Sequence, residues 1–133
     1  MKTREDIESY LIRAELPHEV IGDGLWVIGG TNDVERIVVK FQPPVLVCRV
    51  KVMDVPAADR EELYRTLLEL NATEMMHGAY GIENGAIVIA DALQLENLDF
   101  NEFQASVDAL NLSITTHYRR LAPFLSRGPK AKA

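Results

Sequence analysis

Three stretches of the chain repeat apolar residues at helical spacing. The first can be capped by Thr3, with Asp6 three residues on, and is closed by Pro17. Its apolar face comprises Ile7, Tyr10, Leu11 and Ala14. The second stretch predicts a helix from about residue 57 to residue 70, and Asn71 is expected to stop it.

The third helical stretch carries the strongest local signal. Asp99 and Glu102 occupy the two positions of a capping box. The apolar face that follows continues for about six turns, and Pro123 and Gly128 are expected to end the ordered region. The pattern therefore predicts one long C-terminal helix.

Between the first two helices the chain alternates, which is typical of strands covered on one face. Strands are predicted at residues 25–28, 35–41 and 45–53, and Pro43-Pro44 separates the last two because proline cannot donate to a sheet ladder. The apolar face of the last strand comprises Leu46, Cys48, Val50 and Val52, and its other face comprises Val47, Arg49, Lys51 and Met53.

Two further strands are predicted after the second helix, at residues 78–82 and 86–90. They are joined by Asn84-Gly85, a dipeptide typical of tight hairpins because both residues accept positive φ. The element order is therefore α-β-β-β-α-β-β-α. It predicts the α+β class, with a five-stranded antiparallel sheet and helices packed mainly on one face.

The length of 133 residues suits a single domain. No internal linker is long enough to mark a boundary, so we expect one domain over residues 1–125, followed by a disordered basic tail at 126–133.

Charge, apolar runs and cysteine content limit the classes of partner and the compartment that the sequence predicts. The net charge of −6 argues against nucleic acid, where phosphates require a basic face, and it suits a protein partner with basic segments. The longest apolar run, residues 86–90, is too short to cross a bilayer, so no membrane is expected. Cys48 is the only cysteine and is expected to be an inert core thiol, and the N-terminus carries no apolar signal segment. These features predict a cytoplasmic protein.

No set of residues has the spacing of a catalytic or metal site. The glycine pairs at 22–24 and 29–30 lack the lysine and the following helix of a phosphate loop. His18, His77 and His117 stand far apart, without a second ligand at helical spacing. The sequence therefore predicts no enzyme activity, no metal and no cofactor.

Some apolar side chains exceed what three helices are expected to cover, which indicates a surface for another protein. The candidates are Trp26, Ile28, Val38, Val47, Met53 and Tyr80. Two other functions stay open. One is a small-ligand sensor or enzyme in the groove between sheet and helices, using Asp91, Tyr80 and His77, which are close in sequence. The other is a scaffold domain of a larger complex.

Two neighbouring segments resemble a known fold. Residues 67–71 read LLELN, a leucine-rich helix that ends in asparagine, and residues 78–89 read GAYGIENGAIVI, a glycine-aromatic strand that turns tightly into an apolar one. With the element order, and with a last helix ending in YRRL at 118–121, they resemble the type III secretion chaperone-like fold. The similarity is nearest to the YbjN family of bacterial sensory-transduction-regulator-like proteins, and second to the Tir-chaperone (CesT) family.

The resemblance implies a homodimeric, acidic, non-enzymatic binding protein. Secretion chaperones hold an extended segment of a partner protein against apolar patches on the first helix and the sheet. Carried over to this sequence, the protein-binding residues are Ile7, Leu11, Trp26 and Ile28. We therefore expect a protein-binding module, chaperone-like or regulatory, that holds a segment of another protein and needs no cofactor.

Overall fold

The computed structural model describes residues 1–29 and 36–125. Its elements, in chain order, are α1 (Arg4–Arg13), β1 (His18–Gly22), β2 (Leu25–Ile28), β3 (Ile37–Gln42), β4 (Val45–Asp54), α2 (Arg60–Thr73), β5 (Ala79–Glu83), β6 (Ala86–Gln94) and α3 (Phe100–Leu125). The predicted strand residue Glu35, the glycine Gly30, the C-terminal signal Gly128 and the tail at 126–133 lie outside the described residues.

Both predicted capping boxes are present. The Thr3 N–H donates to Asp6 Oδ2 at 2.8 Å, and the Asp6 N–H donates back to Thr3 Oγ1 at 3.3 Å. At α3 the Glu102 N–H donates to Asp99 Oδ1 at 2.8 Å, and the Asp99 N–H donates to Glu102 Oε1 at 3.3 Å. Each box satisfies main-chain N–H groups that have no partner within the first helical turn, so the starts of α1 and α3 follow from local sequence.

The sheet is antiparallel throughout and has the order β1-β2-β3-β4-β6-β5. The α+β class is confirmed, but the predicted count of five strands is wrong, because β1 adds a sixth. Most of β1 is exposed, so it shows no apolar alternation. It forms because Asp23-Gly24, a two-residue hairpin signal, pairs it with β2.

A bulge in β4 changes which side chains reach the core. The register between β4 and β6 shifts between Lys51 and Met53, so Met53 is buried and Val52 is only half-buried. The prediction that put Val52 on the core face and Met53 on the other is therefore wrong. An extra residue in one strand reverses the alternation beyond it.

Two helix ends also differ from the prediction. The second helix, α2, begins at Arg60 rather than near residue 57, and it continues through Asn71 to Thr73. The third, α3, passes through Pro123 and is described as far as Leu125. The buried side chain of Phe124 holds this last turn against the core, which outweighs the helix-stopping tendency of the proline.

In the part of the chain that the structure describes, helices α1, α2 and α3 pack on one face of the sheet and enclose an apolar cluster. On α1, the side chains of Ile7 and Leu11 are fully buried, and each contributes about 1.5–3 kcal/mol. The Tyr10 hydroxyl donates to the Leu98 carbonyl oxygen at 2.6 Å on the flank of α1 that faces α3. The opposite flank of α1 faces the β1 end of the sheet.

Candidate functional site

The structure brings the four predicted protein-binding residues into one place, the core beneath α1. Ile7, Leu11, Trp26 and Ile28 all belong to the buried cluster. The indole Nε1 of Trp26 donates to Glu8 Oε2 at 3.3 Å, which ties α1 to β2. A partner protein reaches none of these side chains while α1 stays in place, and their role in binding stays a prediction.

The β1 edge carries exposed apolar side chains next to that buried group. Val20 is 60% exposed and Ile21 is 50% exposed, and Ile12 on α1 is 67% exposed. Val20 is the cross-strand partner of Trp26, so it lies on the helix-covered side of the sheet. Within residues 1–29 and 36–125, no other strand pairs with the outer edge of β1. An unpaired edge with apolar side chains is a template for an added strand.

The other sheet edge is closed at its centre by a side chain. Asn71 on α2 accepts a hydrogen bond from the Tyr80 N–H through Oδ1 at 2.8 Å, and its Nδ2 donates to the Tyr80 carbonyl oxygen at 3.2 Å. Tyr80 is the second residue of β5, and both of its main-chain polar groups are thereby used. Asn71, which was expected to stop α2, instead makes the two hydrogen bonds that a neighbouring strand would make with Tyr80.

An apolar groove of about 310 Å³ lies between α2 and β5. Leu68 is 68% exposed and Ile82 is 54% exposed along it. Its other lining residues are Tyr64, Leu67, Asn71, Tyr80 and Gly81.

Of the residues predicted to be uncovered, Val38 and Val47 are half-buried, whereas Trp26, Ile28, Met53 and Tyr80 are buried. The exposed apolar surface thus lies on other residues than those predicted.

The residues considered for a ligand or catalytic site fall into two separate contacts. Asp91 Oδ2 accepts a hydrogen bond from Ser106 Oγ at 2.7 Å and lies 3.7 Å from His77 Nδ1. The carboxylate therefore stands between serine and histidine, whereas nucleophilic catalysis requires the histidine next to the serine. Tyr80 bonds to His117 instead and is not part of this contact.

Tyr80 and His117 form a buried polar pair between β5 and α3. The Tyr80 hydroxyl and His117 Nδ1 are 2.7 Å apart. Burial raises the pKa of Tyr80 to about 12, so the hydroxyl keeps its proton and shares a hydrogen bond with Nδ1. Burial also lowers the pKa of His117, while Glu74, whose Oε1 lies 3.9 Å from Nε2, opposes that shift. The pair joins two elements and offers no free base.

The thiol of Cys48 is also unsuited to catalysis. Burial, with a smaller contribution from the charge of Asp91, raises its pKa to about 12, so the nucleophilic thiolate does not form near neutral pH. In the described ranges, no group of three or more His, Cys, Asp or Glu side chains is arranged to hold a metal ion. No helix there has both the length and the apolar character needed to cross a membrane.

Sequence reasoning missed two features of this surface. The only local signal of the β1 edge is Asp23-Gly24, a two-residue hairpin signal, and no strand is predicted before it. The role of Asn71 had no local signal, because it depends on the position of β5 against α2.

The sequence model of the family CesT_Tir_1 matches residues 1–127. No curated protein sequence is similar enough to count as a match. Solved structures agree in fold, which confirms the resemblance predicted from sequence.

Three solved structures illustrate that agreement. The heterodimeric ExoU–SpcU complex from the type III secretion system of Pseudomonas aeruginosa contains a chain of 16% identity and TM-score 0.69, and the match covers 90% of this chain and 97% of that chain. YbjN from E. coli has 10% identity and a TM-score of 0.67, covering 90% and 93%. The Yersinia pestis type III secretion chaperone SycH, in complex with a fragment of YscM2, has 12% identity and a TM-score of 0.62, covering 86% and 98%.

Proposed function

Because the chain belongs to the CesT_Tir_1 family, we propose that it is a non-enzymatic protein-binding module, chaperone-like or regulatory, that holds a segment of a partner protein. The difference between the two sheet edges carries the proposal. In the described chain, the outer edge of β1 has no paired strand and carries the exposed side chains of Val20 and Ile21, whereas Asn71 bonds to the outer edge of β5. An extended partner segment adds a strand to β1 through main-chain hydrogen bonds. The ExoU–SpcU and SycH–YscM2 complexes support a role of this kind.

The proposed contact surface has two layers. The outer layer is Ile12, Val20 and Ile21, whose exposed side chains the partner covers. The inner layer is the buried group Ile7, Leu11, Trp26 and Ile28, which supports the edge from below. A partner side chain reaches this inner layer only where α1 shifts away from β2.

Site-specific photo-crosslinking tests the proposal in the cell of origin. A photoreactive amino acid replaces Val20 in one strain and Leu112, an exposed apolar residue of α3, in a control strain. We expect a discrete protein adduct from position 20 that is absent from position 112. Adducts of equal yield from both positions, or none from position 20, would contradict binding at β1.

We also propose that the protein is a homodimer that pairs through the groove between α2 and β5. Leu68 and Ile82 are the exposed apolar side chains there, and closure of the β5 edge leaves side-chain packing as the means of contact. Light scattering after size exclusion should give twice the chain mass for the wild type and for Leu112→Glu, and the chain mass for Leu68→Glu. A monomeric wild type at tens of micromolar would refute the dimer.

The proposed compartment is the cytoplasm. The single thiol, Cys48, is buried and has no partner cysteine, which suits a reducing environment. Cell fractionation tests this, and recovery of the protein in a secreted or membrane fraction would contradict it.

A further inference from the structure

We propose that the segment held at the β1 edge is an extended strand in which apolar residues alternate with lysine or arginine. This inference rests on the proposed function and names the chemistry of its partner. Its support comes from the negative charge around the edge, from the face of α1 that borders the edge, and from the positions of the nearby arginine side chains.

Acidic residues are concentrated in the part of the chain that forms this edge. Arg4 lies beside Gly24 at the β1–β2 turn, with its guanidinium carbon 5.8 Å from the centroid of the Phe41 ring. The residues that follow, 5–29, contain six acidic side chains and a single arginine. The arginine, Arg13, has its guanidinium carbon 4.2 Å from the centroid of the Phe100 ring, on the flank of α1 that faces α3. It therefore does not neutralise the β1 side.

The bond between Glu8 and Trp26 identifies the face of α1 that borders β1. Ile12 lies one helical turn after Glu8, and Glu5 lies three residues before it, so these side chains share that flank. Trp26 is in turn the cross-strand partner of Val20. A strand added beside Val20 thus places alternate side chains against a border that is apolar at Ile12 and acidic at Glu5 and Glu8.

Two more exposed carboxylates flank the edge, Glu15 just before β1 and Asp23 at its hairpin turn. Glu19, on β1 itself, pairs with Arg36 at 3.4 Å. Lysine and arginine suit such a border, because their aliphatic stems cover apolar surface while their charged ends reach carboxylates. An acidic strand would meet like charges at Glu5, Glu15 and Asp23, so charge complementarity selects a basic one.

Peptide selection tests this inference and separates it from the proposed function. A library of random twelve-residue peptides is selected on the full-length protein and, in parallel, on a Val20→Asn variant. This substitution leaves the charge unchanged and removes an exposed apolar side chain of the edge. We expect the peptides that are enriched on the wild type but not on Val20→Asn to contain at least about twice the lysine and arginine of the unselected library. These basic residues should be spaced two residues apart, as on one face of a strand.

Affinity measurements on the best of these peptides test the carboxylates directly. An exposed ion pair changes affinity by about twofold, so Glu5→Gln with Glu15→Gln should weaken binding about fourfold. The matched control, Glu61→Gln with Asp108→Asn, removes two exposed acids from α2 and α3 and should leave affinity unchanged. Equal weakening by both pairs would overturn the inference, because the attraction would then come from net charge alone.

The remaining outcomes decide between the two claims. Peptides that require Val20 but are neutral or acidic would overturn the basic-strand inference and leave the β1 edge as the binding site. Enriched peptides that bind the Val20→Asn variant equally well, or a selection without enrichment, would overturn the proposed binding site itself.

Discussion

Asn71→Ala removes both hydrogen bonds that close the β5 edge. In the wild type, the amide accepts from the Tyr80 N–H at 2.8 Å and donates to the Tyr80 carbonyl oxygen at 3.2 Å. Alanine replaces neither bond. The main-chain groups of Tyr80 must then find water or stay unpaired.

The size of the effect follows from these two bonds and from helix propensity. A hydrogen bond of this kind contributes about 1 kcal/mol, so losing both costs about 2 kcal/mol of the free energy of unfolding. Asn71 lies inside α2, where alanine is the better helix former by about 0.5 kcal/mol. The expected net loss is about 1.5 kcal/mol. For a chain of this size, that lowers the melting temperature by about 6 °C.

Urea unfolding followed by the fluorescence of Trp26, the only tryptophan, measures this loss. Asn111→Ala is the matched control, because Asn111 is an exposed asparagine within α3 and its replacement isolates the gain in helix propensity. Asn71→Asp keeps an acceptor for the Tyr80 N–H and should fall between wild type and Asn71→Ala. If Asn71→Ala is as stable as Asn111→Ala within about 0.5 kcal/mol, the edge closure does not contribute to stability and the reasoning is wrong.

Three further predictions follow from the buried polar pair, the thiol and a close backbone approach. Because burial lowers the pKa of His117, the folded state favours its neutral form, and stability should fall as pH drops below about 6.5, the ordinary histidine value. The urea midpoint between pH 7.5 and pH 5.5 should thus change less in His117→Gln, and an unaltered pH dependence would contradict this. Cys48 should react with a thiol reagent only in urea, because it is fully buried, and rapid labelling of the native protein would argue against its placement. Gly78→Ala should lower stability by about 1–3 kcal/mol, because φ is +78° and the new methyl group would lie 2.8 Å from the Ala90 carbonyl oxygen. Gly81→Ala, which meets nothing within 4 Å, should change thermal stability far less, and equal losses would refute the steric argument.

The parts of the fold that were predictable are those fixed by neighbours in sequence. The capping box of Asp99 and Glu102 is complete within four residues, and Asn84-Gly85 joins β5 to β6 as expected. Both depend on main-chain geometry that local residues determine. The α+β class follows from these signals and from alternation in the strands.

The parts that were missed depend on contacts between distant residues. The strand β1 has no buried face, so alternation could not reveal it, and the bulge near Met53 arises from pairing with β6. The same reason applies to the candidate surface. Trp26 and Ile28 are apolar enough to serve as contacts, but only the path of α1 decides that they are covered. Exposure of Val20 likewise follows from its place at the sheet edge.

The unequal edges of the sheet also limit how this protein can aggregate. Growth of a fibre by strand pairing needs two open edges on every molecule, because each newcomer must offer a fresh edge to the next. In the described chain, the amide of Asn71 occupies the centre of one edge, so strand pairing can proceed only from β1. Two copies joined at β1 would have only the edges blocked by Asn71 left, so a continuous sheet grown by strand pairing would stop at two copies. In the proposed dimer each copy keeps its own β1 edge, and the partner segment that covers this edge also removes it as a site for further strand pairing.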